Sequence, residues 1–416
     1  MKICLVSAFP PSRRGLNEYG YHIARELQRD PLISVTVLAD QLDSPAEELE
    51  DFTVYRCWAH NKLSNPPRLL SIIREIRPNV VWFNLLFSTF GSQPMPAFFG
   101  LAIPALTRMS RIYTHVTLHH LMDNIDLKDA GVRHPKLYRW AGSMATRTLL
   151  MANSISVLLP AYRRTLMEKY RGENVHFRAH GILGARPEYP DFSRRGNPEH
   201  RIVAFGKWGT YKRLELLLES FALVSRQMPN LRLIIAGANH PMTPGYVESV
   251  AARYAKSPNI EFTGYVPEDG IADLFSTASL MVMPYSSATG SSGVAHLACE
   301  FGVPIICADI PDFREMAADE DLAIDFYQTG NAGNLAGRLL QLLSDPERQR
   351  EMAEQNFSAA LRMTMPQIIR QYLRSFDLHH KSKALEPISR FRRIPAWIPS
   401  RSTIFRAAAP RWSPWM

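Results

Sequence analysis

Short apolar runs of strand length, separated by stretches of helical period, govern this chain from its first residues. Ile3 to Ser7 is a charge-free run, and apolar positions then recur at helical spacing from Tyr21 through Ile23, Ala24 and Leu27. Ser34–Leu38 and Thr53–Tyr55 read as further strands, and Leu69–Ile76 as a helix that Pro78 ends. Val80–Phe83 and Val116–His120 are two more strands. Strands alternating with helices predict parallel βαβ units and hence a doubly wound sheet. In such sheets ligands bind beyond the carboxyl ends of the strands, which here places Gly15, Asn84, His119 and His120.

The pattern restarts after the polar stretch Arg194–Pro198. Ile202–Phe205 repeats the opening strand, Leu214–Val224 is an amphipathic helix, and Leu231–Ala236 is a strand ending at Gly237. Tyr246–Tyr254 is helical, Ile260–Phe262 a strand and Ile271–Ser276 a short helix. The reading is an α/β chain with two doubly wound, Rossmann-like domains facing a cleft. Domain one spans 1–185 and domain two 186–364; a helix at 365–378 and a tail at 379–416 follow.

One stretch organises the second half. The apolar run Leu280–Pro284 leads to Thr289-Gly290-Ser291-Ser292-Gly293, and Val294–Phe301 then reads as a helix. A strand feeding a Ser/Gly loop and a helix start presents free backbone N–H groups at the positive end of a dipole, which suits phosphate. The plainer alternative is an ordinary strand–helix–strand unit whose glycines shape turns. Between Phe205 and Leu214 lies a second loop with Lys207 and Lys212, two ammonium groups able to hold a pyrophosphate or to stand solvated.

At 416 residues, with 46% hydrophobic and 21% charged positions, the chain is of ordinary globular make-up and long enough for two or three domains. Cys4, Cys57, Cys299 and Cys307 have no paired spacing and read as buried thiols of a reducing compartment, with no metal site. Met1-Lys2 runs straight into the first strand, so no leader is expected and a cytoplasmic location is. Asn79–Thr107 carries no charge, yet Pro94, Pro96 and Pro104 interrupt it; it reads as a strand, a loop and an apolar helix, with a membrane-dipping element as the alternative. Residues 379–416 hold eight Lys/Arg against one Glu, +7 of the chain's +9, so the body is not a nucleic-acid binder. Arginines in that tail alternate with Phe391, Trp397, Phe405, Trp412 and Trp415, which suits the anionic inner face of a membrane; five prolines speak against one long amphipathic helix. A disordered tail or one packed on the body are the alternatives.

The runs FGKWGTYKRLELLLESF, LRLIIAGA, NIEFTGYVPEDGIADLFSTASLMVMPY and GVPIICADIPDFRE, in this order between Ile202 and Glu315, resemble the second domain of the retaining GT-B glycosyltransferases of family 4, the group 1 glycosyl transferases. The Gly15 loop, VVWFN and TLHH match the first domain more loosely. The resemblance implies a hexosyltransferase that uses a nucleotide-diphosphate sugar as co-substrate, with no further cofactor and no metal, and a glycan or lipid-linked acceptor, as in polysaccharide or glycoconjugate biosynthesis. Lys207 and Lys212 would neutralise the departing diphosphate, and the amides around Ser292, Gly293 and Val294 would cradle its distal phosphate. Gly264 and Tyr265 fall where the family contacts the base. Gly15 matches a glycine near donor and acceptor, and His119 a histidine near the transferred sugar, with a strand-end histidine as the alternative. On the acceptor side stand Asn84, His120 and Asp123, with Asp126 beyond; solvated loop carboxylates are the alternative for the last two. Lys212, as a cleft lysine, is expected to carry little packing.

Aligned on Gly302-Val303-Pro304, the family's two glutamates fall on Thr289 and Leu297, and neither is acidic here. Glu300, one turn beyond Leu297, is a candidate replacement for the ribose contact, with a surface or capping role as the alternative, and His296 is the other candidate. Two rival functions therefore stand beside glycosyl transfer: a degenerate nucleotide- or sugar-binding relative, and a sugar-nucleotide epimerase of the same architecture.

Overall fold

The structure is a computed structural model that describes the chain apart from residues 43, 45, 46, 48, 125–134, 185, 186, 193–199, 210, 241, 242, 288, 289 and 393–416. It forms two compact units, Met1–Ile368 and Ile369–Met416. The first unit holds two parallel sheets.

The first sheet's lobe runs β1 (Lys2–Val6), α1 (Asn17–Gln28), β2 (Ser34–Asp40), β3 (Val54–Trp58), α2 (Asn65–Ile76) and β4 (Val80–Leu85). It continues with α3 (Pro94–Leu101), α4 (Ile103–Met109), β5 (Tyr113–Leu118), α5 (Pro135–Leu149), β6 (Ser154–Val157), α6 (Pro160–Glu168) and β7 (Val175–Phe177). The strand order is β3-β2-β1-β4-β5-β6-β7, all parallel. β1 and β4 are covered on both faces, which is why they read as nearly unbroken apolar runs, while the equally buried β5 carries Thr114, His115 and Thr117. The pattern above singles out none of α5, β6, α6 and β7. β6 hides because its sequence Ser-Ile-Ser-Val looks half polar. Both serines are buried, and Ser154 Oγ is satisfied by His115 Nδ1 at 2.6 Å and Tyr113 OH at 2.9 Å.

The second lobe runs β8 (Arg201–Phe205), α7 (Leu214–Ser225), β9 (Arg232–Ala236), α8 (Tyr246–Tyr254), β10 (Ile260–Gly264), α9 (Glu268–Ser276) and β11 (Leu280–Met283). Then come α10 (Gly293–Glu300), β12 (Ile305–Ala308), α11 (Pro311–Glu320), β13 (Ile324–Tyr327), α12 (Ala332–Leu343) and α13 (Pro346–Arg362). Its order is β10-β9-β8-β11-β12-β13, again parallel throughout. Each sheet therefore reverses direction once, between β1 and β4 and between β8 and β11. At such a reversal the loops diverge to opposite faces and leave a crevice at the strands' carboxyl ends.

The charge-free stretch from Asn79 resolves into β4, a loop and two short helices, and among the described residues no helix is long and apolar enough to cross a membrane. α14 (Met365–Arg392) outruns its expected end at Leu378. His379–Leu385 contains no Pro or Gly, and an Asp377–Lys381 ion pair of 2.6 Å spans one turn there. Of the tail's prolines only Pro387 falls inside the helix; residues 393–416 lie outside the described ones.

Candidate functional site

Because β8 and β11 are neighbours at the second sheet's reversal, the loops that leave them meet. The first is anchored by Trp208, fully buried, whose Nε1–H donates to Ala236 O at 2.9 Å. It packs backbone to backbone on its neighbour: Gly237 has φ +111°, and a β-carbon there would sit 1.9 Å from Gly206 O. This fixes the two lysines. Lys212 Nζ lies 4.9 Å from the centre of the Tyr285 ring, and a β-carbon on Gly206 would be 2.3 Å from that Nζ and 3.9 Å from Val294 Cγ2. Burial, then the charge of Lys207, lowers the Lys212 pKa to about 8. Lys207 is exposed by area yet crowded enough for desolvation to lower its pKa, partly offset by Glu18; its Nζ reaches Arg13 O of the first lobe at 3.5 Å.

The second loop ends at the Ser292 N-cap, whose Oγ accepts from Ala295 N at 3.3 Å. The first-turn amides of Gly293 and Val294 have no carbonyl inside the helix to bond and face outward along its axis. Ser291 Oγ is turned to Met316 Sδ at 3.7 Å. Gly290 has φ +102°, and a β-carbon on it would come within 2.4 Å of His119 O. The lobes thus touch here through backbone, and only glycine fits. Thr289 lies outside the described residues, as do Asp126 and the linker at 194–198.

Beneath α10, His296 is fully engaged: Nδ1 on Ser292 O at 2.7 Å and Nε2 on Glu320 Oε2 at 2.7 Å. That commitment removes it as a ribose ligand. The carboxylate raises its pKa against the lowering effect of burial. Since Nδ1 faces a carbonyl it must donate, so Nε2 meets Glu320 with a proton held on one partner or the other. His180 stacks on His296 at 5.0 Å, and its own pKa is lowered to about 3 by burial and by His296. Tyr19 OH donates to His180 O at 3.0 Å, and the Tyr19 ring stands edge-on to His119 at 4.8 Å.

On the first lobe, His119 Nε2 meets Asn84 Oδ1 at 2.7 Å, while Asn84 Nδ2 donates to Ser7 Oγ at 3.1 Å. This orients the amide and assigns the Nε2–H tautomer to His119. Burial above all keeps His119 neutral, with His180 and His120 adding to it. Asn84, expected on the acceptor side, is wholly enclosed and serves to hold His119. His120 packs on Phe87 at 5.6 Å, and burial lowers its pKa to about 4. Asp123 already accepts from Lys169 and from Tyr170 OH at 2.8 Å within its own lobe. The Gly15 loop is held by buried Asp40, which accepts from Phe9 N at 3.2 Å and pairs with Arg14 and Arg56 at 3.5 and 3.6 Å. A β-carbon on Gly15 would meet Leu86 Cδ1 at 3.1 Å.

At the crevice rim Gly264 turns with φ +67°, and Tyr265, 62% exposed, lies under the Arg13 guanidinium at 5.6 Å across the lobes. Glu300 accepts a hydrogen bond from the Gly184 backbone, and burial raises its pKa. Among the described residues one trio could hold a metal ion: Glu18, His22 and Glu268 place a ligand atom each within 4.8 Å of one another, although His22 and Glu268 already pair at 3.5 Å. His180, Glu320, Asp40 and this trio escape sequence reading, because their neighbours come from the other lobe or from distant strands.

Residues 186–358 match the family model described as Glycosyl transferases group 1. A curated relative, the uncharacterized glycosyltransferase YqgM of Bacillus subtilis (strain 168), is 26% identical over 187 residues, 44% of this chain and 50% of that protein. The chain thus matches about half the length of that relative. Among solved structures, sucrose-phosphate synthase from Thermosynechococcus elongatus superposes with a TM-score of 0.73 at 16% identity, covering 92% of this chain and all of that one. Anabaena HepE in complex with UDP and glucose gives 0.65 at 15%, covering 91% and 99%. These likenesses show the fold: two Rossmann-like lobes in the GT-B arrangement. The match to the group 1 glycosyl transferase model falls on the second lobe.

Proposed function

We propose that the protein moves a sugar from a nucleotide-diphosphate donor to a glycan or lipid-linked acceptor, with retention at the anomeric carbon. The carrying observation is that Lys212, within electrostatic reach of Lys207, and the first turn of α10 come together at the adjoining carboxyl ends of β8 and β11. When the anomeric C–O bond breaks, its electron pair leaves with the diphosphate. Two ammonium groups and fixed amides stabilise that charge, and removal of one such group typically costs about 10²–10³ in rate. The buried ammonium of Lys212 acts at low dielectric, where a charge contact of about 4 Å is worth roughly 4 kcal/mol at an effective dielectric of 20. The complex of HepE with UDP-glucose supports a donor of this type. In this reading His119, neutral and tautomerically fixed, faces the transferred sugar, and the protein works at the cytoplasmic side with its basic tail drawn to anionic lipid.

Leu297 favours a second reading. A half-buried leucine where the family has a glutamate cannot accept from ribose hydroxyls, so a binder without turnover fits the same fold. Calorimetric titration with UDP, GDP, ADP and TDP, followed by mass-spectrometric assay of the matching sugar nucleotides with and without lipid extract, separates the readings. Binding plus acceptor-dependent transfer is expected. Binding without turnover leaves only the second reading, donor conversion without acceptor points to an epimerase, and no binding by any nucleoside diphosphate sinks the proposal.

A further inference from the structure

The first lobe carries a helical face of unusual make-up. α3, α4 and α5 pack against one another and together contain no Asp or Glu, while they hold Arg108, Lys136, Arg139 and Arg147. The chain has no acidic residue at all between Glu75 and Asp123, or between Asp129 and Glu168. On the outer side of these helices the large apolar side chains are not covered. Phe99, Leu106 and Met109 follow one another at helical spacing along α3 and α4, with Met109 72% exposed. Lys136, Trp140, Met144 and Arg147 form one stripe of α5, beside Leu137 and Arg139; Trp140 is 64% and Leu137 59% exposed.

Isolated exposed apolar residues need no explanation, but large ones recurring on three touching helices do. The occupant is narrowed by charge. A protein partner of ordinary composition needs no such exclusion of carboxylates, whereas an anionic bilayer attracts every base and repels every acid. Trp, Phe, Leu and Met set among Lys and Arg is also the composition of faces that lie in the headgroup layer. The orientation fits. In a parallel βαβ unit each helix starts at the carboxyl end of the strand before it, so the first turns of α3 and α5 stand at the rim where His119 and Gly15 lie. We infer that α3, α4 and α5 form a membrane-docking surface that seats the first lobe on an anionic bilayer, with the acceptor side of the crevice at the lipid. The docking itself is independent of the glycosyl-transfer reading; the lipid-linked acceptor it implies rests on that reading.

Flotation of the full chain with vesicles of phosphatidylcholine alone, or mixed with phosphatidylglycerol, tests this. Wild type should float with the mixed vesicles, less so as salt rises. The double variant Leu137→Glu/Trp140→Glu should bind at least about tenfold more weakly, because it removes the apolar anchor and adds like charge. Lys136→Glu/Arg139→Glu, which keeps the apolar residues, should weaken the preference for phosphatidylglycerol, the remainder coming from the basic tail. UDP affinity, set in the other lobe, should stay unchanged in both and reports on folding. Flotation of both variants at wild-type level overturns the inference. So does loss only on changing Arg401, Arg406 and Arg411 to Glu, or a sedimentation result in which Trp140→Glu splits a dimer while flotation is unaffected. If flotation is lost as expected but no sugar nucleotide is ever turned over, the docking surface stands and the transferase reading falls.

Discussion

Lys212→Met sets stability against function in one residue. Alanine would be the wrong choice: sequence reading expects little packing from this lysine, but only 9% of it is exposed and it lies on Tyr285. Methionine fills nearly the same space without charge. In the folded protein the ammonium is destabilised, its pKa displaced from 10.5 to about 8. At about 1.4 kcal/mol per pH unit this corresponds to about 3 kcal/mol of net penalty on the charged form. The variant should therefore be more stable than wild type at pH 7 in urea unfolding, by up to about 3 kcal/mol. The sign with pH is fixed. Between about 8 and 10.5 the unfolded chain binds the proton that the folded one lacks, so wild-type stability climbs toward the variant across that window. The ligand effect runs the other way. UDP should stabilise wild type more than the variant, since the diphosphate supplies the counter-charge that the buried ammonium lacks, and turnover should fall by about 10²–10³. A variant less stable than wild type at pH 7, or one that binds UDP equally well, refutes the reasoning.

Gly290→Ala should weaken the lobe contact and cost roughly 1–3 kcal/mol in strain alone, because φ is +102° and the β-carbon meets His119 O at 2.4 Å. Transfer should fall while UDP affinity changes little, and equal kcat in the variant would show that the lobes do not close through this contact. The His296–Glu320 pair should stabilise the protein fully below pH 6.5, and that contribution should fade as the pH rises through the raised folded pKa of His296. Glu320→Gln, whose amide donates to a neutral imidazole, should remove this pH dependence from thermal melts; an identical pH profile in the variant would show that the proton is not held there.

The sequence by itself determined the two α/β halves, their restart near Arg201, and the candidate loops for an anion, because strand-length apolar runs and Ser/Gly or Lys-bearing loops are local signals. It also showed that the glutamate positions of the resembled family are vacant of acid. It did not determine which loops meet. That follows from strand order, and the adjacency of β8 and β11 is a choice of pairing that no local pattern encodes. Tertiary structure alone decided that Asn84 is a buried support for His119, that Asp123 is held by Lys169 and Tyr170, and that His296 is spent on Glu320. A side chain's chemistry is written in its residue type, but its freedom to use that chemistry depends on partners contributed from elsewhere in the fold. The same holds for the outer face of α3, α4 and α5: the absence of acid is readable along the chain, while the exposure of Trp140 is set only by which surfaces the packed helices leave uncovered.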